Sequence, residues 1–170
     1  RWTVSGVRND STTSLQSFYW RDTLPTDAVR LTRLVTGTYS TTQTYKVTFT
    51  TNLNSQWRTA YDNLSTAKNY TLDMSSAALG LASNEYVTQF MLSFGIVPAG
   101  FHQLTNATVD AQTLYALTNG YKFTNKADVG GLLGGNWVQS IARWTTSIYS
   151  HYVPAKPAAP KSPTLPRTGY

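Results

Sequence analysis

Short runs in which β-branched or aromatic residues alternate with polar ones make up most of this chain. Residues 44–51 (TYKVTFTT) are a clear example, and clusters of turn-forming residues separate such runs. Successive side chains of a strand point to opposite faces, so the alternation predicts strands that bury one face and expose the other. Sheets of that kind become stable when two of them pack around one core.

Nine segments have this strand character. They are residues 1–7, 16–21, 28–39, 44–51, 56–61, 85–97, 113–118, 121–129 and 137–149. The most hydrophobic, 85–97, is expected at the centre of a sheet. Short strands separated by turn signals predict an all-β fold, a two-sheet antiparallel β-sandwich.

The connecting segments carry turn signals. Residues 75–82 (SSAALGLA) are helix-like but short and contain a glycine, so we expect a single turn within a loop. Asn119-Gly120 predicts a tight turn between 113–118 and the next strand. The pairs Gly130-Gly131 and Gly134-Gly135 are expected in the connection into the last strand.

Composition narrows the class of protein. Charged residues make up 13% of the chain, against about a quarter in typical domains. Ser, Thr, Asn and Gln must therefore supply most of the polar surface, which is typical of an extracellular β-protein. The chain has no cysteine, which excludes disulfides, thiolate catalysis and cysteine-bound metal centres.

The net charge of +6 does not predict a nucleic-acid partner. Three of the cations, Lys156, Lys161 and Arg167, follow His151, where there are no acidic residues. The remaining cations are scattered among eight acidic residues. No basic helix or stripe results, so we expect no binding to nucleic acid.

Enzymatic chemistry is not indicated. His102 and His151 have no carboxylate near them in the sequence, and no nucleophile elbow, phosphate-binding loop or zinc-protease motif occurs. Asp22 and Asp27 flank Pro25, but two carboxylates in a turn more often cap it than bind calcium. We predict no enzymatic activity, no cofactor and no metal site.

The C-terminal residues differ from the rest. After Tyr152 the chain is rich in Pro, Ala, Lys and Ser, which predicts an extended tether without a core. We therefore expect a domain at 1–152 and a Pro-rich tether at 153–170. The tether ends in the sequence LPRTG, which consists of Leu165, Pro166, Arg167, Thr168 and Gly169.

LPRTG resembles the LPXTG sorting motif of Gram-positive surface proteins, with Arg167 at the variable position. The body of the chain resembles the immunoglobulin-like (Ig-like) repeat domains of such surface proteins and of pilin subunits. This second likeness rests on four segments: VRNDSTTSLQSFYWRDTLPTDAVRLTRLVTGTY, YKVTFTTN, LGLASNEYVTQFMLSFGIVPAGF and GYKFTNKADVGG. The resemblance implies an Ig-like antiparallel β-sandwich followed by an extended Pro-rich tail.

The resemblance also implies that a sortase acts on this chain. The thiolate of the enzyme would attack the carbonyl of Thr168, release Gly169 onward and pass the acyl group to an amine. That amine belongs either to a cell-wall peptide or to a pilin lysine. Leu165 would fill an apolar pocket of the sortase, and Pro166 would bend the peptide.

The expected location follows from the same resemblance: extracellular, anchored to the cell wall of a Gram-positive bacterium. The role is that of a wall-proximal domain or basal pilin. A sorting signal normally continues into a hydrophobic span and basic residues, whereas this chain stops at Tyr170. We expect that it was truncated there, so that any membrane contact would be made only by a span that this chain lacks.

Related domains are often stapled by an isopeptide bond between a lysine and an asparagine or aspartate. Asn125, in FTNKAD, matches the acceptor, and Asp22 or Glu85 would be the buried acid that polarises the reacting groups. The expected lysine lies on a strand that would precede Arg1, and Lys46 is the remaining strand-centre candidate. The alternative is that Asn125 caps a turn and Lys46 lies on a solvated face.

We expect the strand that carries the reactive lysine to lie before Arg1, outside this sequence. We therefore expect that another chain or fragment could supply it by β-strand addition to an open edge.

Four tryptophans leave a second function open. Trp20, Trp57, Trp137 and Trp144 alternate with polar residues, so each lies either in the core or on a sugar-binding surface; the core is the default. The alternative function is an adhesin module that binds a host or environmental glycan or a matrix protein. An exposed aromatic row would favour adhesion, and a fully buried set would favour a structural role.

Overall fold

The computed structural model describes residues 1–25 and 27–147. These residues form twelve β-strands and no α-helix. The strands, in chain order, are β1 (Trp2–Val4), β2 (Leu15–Thr23), β3 (Val29–Val35), β4 (Thr38–Tyr39), β5 (Thr44–Thr51), β6 (Arg58–Ser65), β7 (Thr71–Asp73), β8 (Val87–Val97), β9 (Gln103–Thr105), β10 (Ala107–Thr113), β11 (Lys122–Leu133) and β12 (Asn136–Ser147). The all-β prediction is confirmed.

Two antiparallel sheets contain most of the strands. The smaller sheet has the order β1-β10-β3-β7, and the larger has the order β12-β11-β2-β8-β5-β6. β4 and β9 form a separate two-stranded ribbon. Buried side chains come from both large sheets, for example Leu34 and Val109 from the smaller and Trp20 and Leu92 from the larger. The sheets therefore enclose one core, as in a β-sandwich.

The predicted central strand is central. β8 lies between β2 and β5, and its residues Phe90 and Leu92 are fully buried. Burial along β5 alternates as predicted over residues 44–47, where Tyr45 and Val47 are buried and Lys46 is exposed, whereas residues 48–51 are buried on both faces. Burial of a large apolar side chain contributes about 1.5–3 kcal/mol, so this alternation fixes which face of β5 meets the core.

An aromatic cluster fills the middle of the core. Trp20 packs edge-on against Phe90, with ring centroids 5.5 Å apart, and its Nε1 donates to the hydroxyl of Tyr39 at 2.8 Å. Tyr39 stacks on Phe101 at 5.7 Å and meets Phe94 at 4.9 Å. Such pairs add about 0.5–1.5 kcal/mol each beyond the area that they bury.

The connection into the last strand differs from the prediction. Gly130 and Gly131 lie within β11, where a Cβ on Gly130 would come within 2.6 Å of the carbonyl oxygen of Val138. Only Gly134 and Gly135 form the turn, with φ of 55° and 83°. Positive φ at both positions of a two-residue loop defines a hairpin turn that glycine favours. β11 is therefore longer than residues 121–129.

Residues 113–118 do not form the predicted strand: β10 ends at Thr113, and the next five residues form no strand. The segment 107–113 pairs with β3 instead. Its sequence, ATVDAQT, alternates apolar and polar residues, and Ala107 and Val109 are buried, so this strand was missed although its pattern was present. β7 and β9 were missed because they contain three residues each. Residues 75–82 contain turns and no helix, as predicted.

One terminal strand of each sheet lies on the same side of the molecule. β1 is the terminal strand of the smaller sheet and pairs only with β10; β12 is the terminal strand of the larger sheet and pairs only with β11. Most of β12 is exposed. Two strand edges therefore remain unpaired there within residues 1–25 and 27–147.

Candidate functional site

Asp22 and Asn125 form a buried polar pair on the inner face of the larger sheet. Asp22 lies on β2 and Asn125 on the neighbouring β11, and the amide Nδ2 of Asn125 donates to Oδ2 of Asp22 at 2.7 Å. Asp22 is 0% exposed and Asn125 is 5% exposed. The sequence predicted both residues as members of one site, and the structure brings them into contact.

Burial changes the acid–base behaviour of this pair. Burial raises the pKa of Asp22 to about 7: loss of hydration is the main cause, the hydrogen bond from Asn125 opposes it, and the nearby charge of Asp128 adds to it. The carboxyl group can therefore hold or release a proton near neutral pH. It is suited to proton transfer in a way that a solvated aspartate is not.

Two oxygens of the pair have no hydrogen-bond partner. They are Oδ1 of Asp22 and Oδ1 of Asn125, which are both acceptors. An unpaired buried acceptor costs about 1–3 kcal/mol. A donor with several protons, such as an ammonium group, would satisfy both oxygens.

An open groove reaches this pair. A cavity of about 410 Å³ lies between β1 and β12, and Trp2, Val4, Asn125, Ala142 and Trp144 are among the residues that line it. We call it the inner groove. Trp144 is directly opposite Asn125 in the β11–β12 register and is 69% exposed. The groove therefore connects solvent to the Asn125 amide.

The inner face of β12 continues the inner groove without a cover. Val138, Ser140 and Ala142 lie on this face, since each pairs with an inward-facing residue of β11, and all three are exposed. With the free edges of β1 and β12 on either side, the inner groove has the shape that one further extended strand would fill.

Lys46 does not reach Asn125. It pairs with Ser93, which pairs with Tyr19, and these residues lie on the outer face of the larger sheet. β5 is also three strands from β11, about 14 Å at the usual spacing between strands. The described structure therefore does not bring this lysine to the acceptor.

Glu85 has a different partner. Its carboxylate accepts a hydrogen bond from Arg58 at 3.2 Å, beside the end of β5. Asp22, not Glu85, is the acid that contacts Asn125. The sorting motif, Leu165 to Gly169, lies outside the described residues.

Sequence reasoning missed a second polar cluster, on the outer face of the larger sheet. Asp128 accepts two hydrogen bonds from Arg21, both at 2.9 Å, one from Tyr19 at 3.0 Å and one from Gln139 at 2.7 Å. Burial alone would raise the pKa of Asp128, but these donors together hold it below its usual value. The sequence did contain a signal for this cluster: Asp128, in ADVGG, is an acidic residue within a strand rather than in a turn.

The four tryptophans divide between core and surface. Trp20 is 1% exposed, whereas Trp57, Trp137 and Trp144 are 40%, 65% and 69% exposed. The default assignment to the core therefore holds for Trp20 alone. Trp137 and Trp144 lie on β12 with opposite orientation, since odd and even positions of a strand point to opposite faces.

Among the described residues, no three His, Asp or Glu side chains come together as metal ligands. In the same part of the chain, no helix has the length and hydrophobicity needed to cross a membrane. No protein-family model matches the chain, and searches of curated proteins and of solved structures gave no significant match.

Proposed function

We propose that this chain is the surface domain of a protein that a sortase attaches covalently through residues 165–169. The domain is Ig-like and next to the wall, or belongs to a basal pilin. The observation that carries the proposal is the order of features along the chain: a β-sandwich-like domain, a segment rich in Pro, Lys and Ala, and then LPRTG.

The attachment chemistry exchanges one amide for another. The sortase thiolate attacks the carbonyl carbon of Thr168, the Thr168–Gly169 bond breaks, and Gly169 leaves as an amine after it takes up a proton. The resulting thioester is attacked by an amine of a cell-wall peptide or of a pilin lysine. That step forms a new amide and returns the thiol, so no oxidant or energy source is needed.

The direct test is incubation of the purified chain with a sortase and an amine nucleophile, followed by intact-mass measurement. We expect loss of Gly169-Tyr170 and gain of the nucleophile. The matched control is Leu165→Ala, which changes no residue of the described domain and removes the residue expected to fill the enzyme's pocket. Wild-type chain that remains intact with an active sortase contradicts the proposal.

We further propose that Asp22 and Asn125 are half of an isopeptide site. The observation that favours this is a buried carboxyl with a pKa near 7 in contact with a buried amide, next to an open groove. A lysine on a strand in the inner groove would complete the site. That strand comes either from a segment before Arg1 or from another chain.

The atoms and protons of the isopeptide-forming reaction also balance. The neutral lysine amine attacks Cγ of Asn125, the Nζ–Cγ bond forms, and the Cγ–Nδ2 bond breaks. Asp22 accepts a proton from the attacking nitrogen and transfers it to Nδ2, which leaves as ammonia. The product weighs about 17 Da less than its reactants. Such a bond would stabilise a domain that has no disulfide.

A further inference from the structure

A trough crosses the outer face of the larger sheet, opposite the face that holds Asp22 and Asn125. Its volume is about 730 Å³, which lies within the range of about 300–1,000 Å³ that is typical of ligand sites. We call it the outer trough. Its lining comes from β2, β5, β6, β8 and β12, so it runs across the strands rather than along them.

Small side chains occupy the middle of the outer trough. Ser17, Thr44, Ser93 and Gly95 line it from three neighbouring strands. Their short side chains leave the depression between larger neighbours. The hydroxyl groups of Ser17, Thr44 and Ser93 place hydrogen-bonding atoms along its length.

One end of the outer trough is aromatic. Trp137 on β12 and Tyr19 on β2 meet edge to face, with ring centroids 6.4 Å apart and an interplanar angle of 67°. Trp137 remains 65% exposed despite this contact. An indole held at the rim of a depression is available to stack on a ligand.

The polar cluster on the same face fixes this aromatic end. The hydroxyl of Tyr19 donates to Asp128 at 3.0 Å, and the guanidinium of Arg21 lies 5.6 Å from the centre of the Tyr19 ring. Asp128 is 2% exposed and is held in turn by Arg21 and Gln139. Tyr19 therefore has a fixed position before any ligand arrives, which lowers the entropy cost of binding.

The other end of the outer trough carries charged groups. Lys46 on β5 and Asp62 on β6 both line it and are exposed. Lys46 makes no ion pair among the described residues. Asp62 accepts one hydrogen bond, from the backbone N–H of Asn63 at 2.7 Å, through Oδ1. Lys46 and the Oδ2 atom of Asp62 therefore remain able to bind ligand hydroxyls.

This combination fits an oligosaccharide better than a protein partner. A sugar presents an apolar C–H face, which stacks on an aromatic ring, and hydroxyl groups, which pair with serines, lysine and carboxylate. A stable protein interface needs about 800 Å² on each side, and its centre is depleted in lysine and aspartate. The outer trough is a depression lined by both apolar and hydroxyl-bearing side chains, and it carries a lysine and an aspartate.

We propose that the outer trough binds an oligosaccharide, with Trp137 stacking on one sugar ring beside Tyr19 and with Lys46 and Asp62 binding hydroxyl groups further along. This binding function is independent of the attachment through residues 165–169. The domain would then hold a glycan on one face while its C-terminus is joined to the wall or pilus.

The test applies the labelled chain to an array of immobilised neutral and acidic oligosaccharides, with variants Trp137→Ala and Trp144→Ala. The two tryptophans are matched, since both are exposed residues of β12 but face opposite sides of the sheet. We expect wild type and Trp144→Ala to bind the same oligosaccharides. We expect Trp137→Ala to bind them at least tenfold more weakly.

A second variant keeps the test decisive if Trp137→Ala does not fold. Lys46→Gln changes an exposed side chain at the far end of the outer trough, and we expect it to weaken binding by about threefold or more. The proposal is overturned if wild type binds no oligosaccharide, or if folded Trp137→Ala binds as wild type does. Binding of matrix proteins alone, lost in Trp137→Ala, would also overturn it and identify a protein-docking site.

Discussion

The amide nitrogen of Asn125 lies 2.7 Å from a carboxylate oxygen of Asp22, although 103 residues separate them in the chain. Adjacent, antiparallel β2 and β11 hold them there on the inner face of the sheet. The hydrogen bond satisfies one atom of each side chain and leaves one acceptor of each unpaired. A pair that is buried but incompletely satisfied is expensive to retain, which favours a role other than stability.

The pair makes stability depend on pH in a specific direction. The pKa of Asp22 is about 7 in the folded protein and 3.8 for an ordinary aspartate. The folded state therefore binds more protons between these values. Below about pH 4, Asp22 makes its full contribution to the free energy of unfolding. This contribution, on the order of 4 kcal/mol, is lost as the pH rises to 7.

Asp22→Asn isolates this contribution because it keeps the shape and removes the titration. We expect urea denaturation at several pH values from 4 to 8 to show a shallower decline for the variant, and higher stability than wild type near pH 8. The prediction is wrong if the difference between the two proteins does not change with pH.

An amine placed beside Asn125 is expected to react with it. Trp144 is opposite Asn125 and exposed, so Trp144→Lys introduces a lysine next to the amide at a site with little packing to lose. We expect an intact mass about 17 Da lower than the sequence requires. The double variant Trp144→Lys with Asp22→Ala should keep its full mass. A folded single variant that also keeps its full mass would argue against isopeptide chemistry at this pair.

The hydroxyl of Tyr39 supports the aromatic core. It accepts from Nε1 of Trp20 at 2.8 Å and donates to the carbonyl of Thr36 at 2.9 Å, and both bonds are buried. Tyr39→Phe leaves two buried polar groups unpaired, so we expect a loss of about 1–3 kcal/mol in the free energy of unfolding. Tyr61→Phe removes an exposed hydrogen bond to Asp73 and is the control. Equal losses in chemical denaturation would refute this explanation.

Asp110 links the start of β1 to its neighbours in the smaller sheet through ion pairs. Arg1 contacts its carboxylate at 2.6 Å and Arg33 at 2.7 Å. The hydrogen bond from Arg1, with help from Arg33, lowers the pKa of Asp110 to about 2. The contribution of Asp110 to the free energy of unfolding is therefore present above about pH 4 and is lost as the pH falls towards 2.

Asp110→Asn should increase the hydrogen exchange of β1 while costing about 1 kcal/mol or less overall, as is usual for exposed ion pairs. Asp10→Asn removes the more exposed pair with Arg8 and should change neither. Unchanged exchange of β1 in Asp110→Asn would show that other contacts hold this strand.

The local sequence pattern predicted much of the fold but little of the strands at the edges of the sheets. β5 coincides with the predicted 44–51, and the interior position of β8 followed from its hydrophobicity. The predicted strand at 113–118 was wrong, since β10 ends at Thr113 and the next five residues form no strand. Strands of three residues contain too little pattern for their period to be read from sequence.

The candidate site was predictable as far as residue identity, but its surroundings were not. A likeness to known domains indicated Asp22 and Asn125, whereas the exclusion of Lys46 depends on which face of β5 it occupies. The inner groove and the outer trough arise from strand order and from the exposure of β12. Both are tertiary properties, and no sequence window of a few residues contains them.

The covalent attachment is the central claim, and the position of the new bond tests it most directly. The product of the reaction with a sortase and an amine would be digested, and tandem mass spectrometry would locate the junction. The account predicts a C-terminal peptide that ends at Thr168, with its carbonyl joined to the nucleophile. A peptide that still carries Gly169-Tyr170, or a junction at another residue, would contradict it.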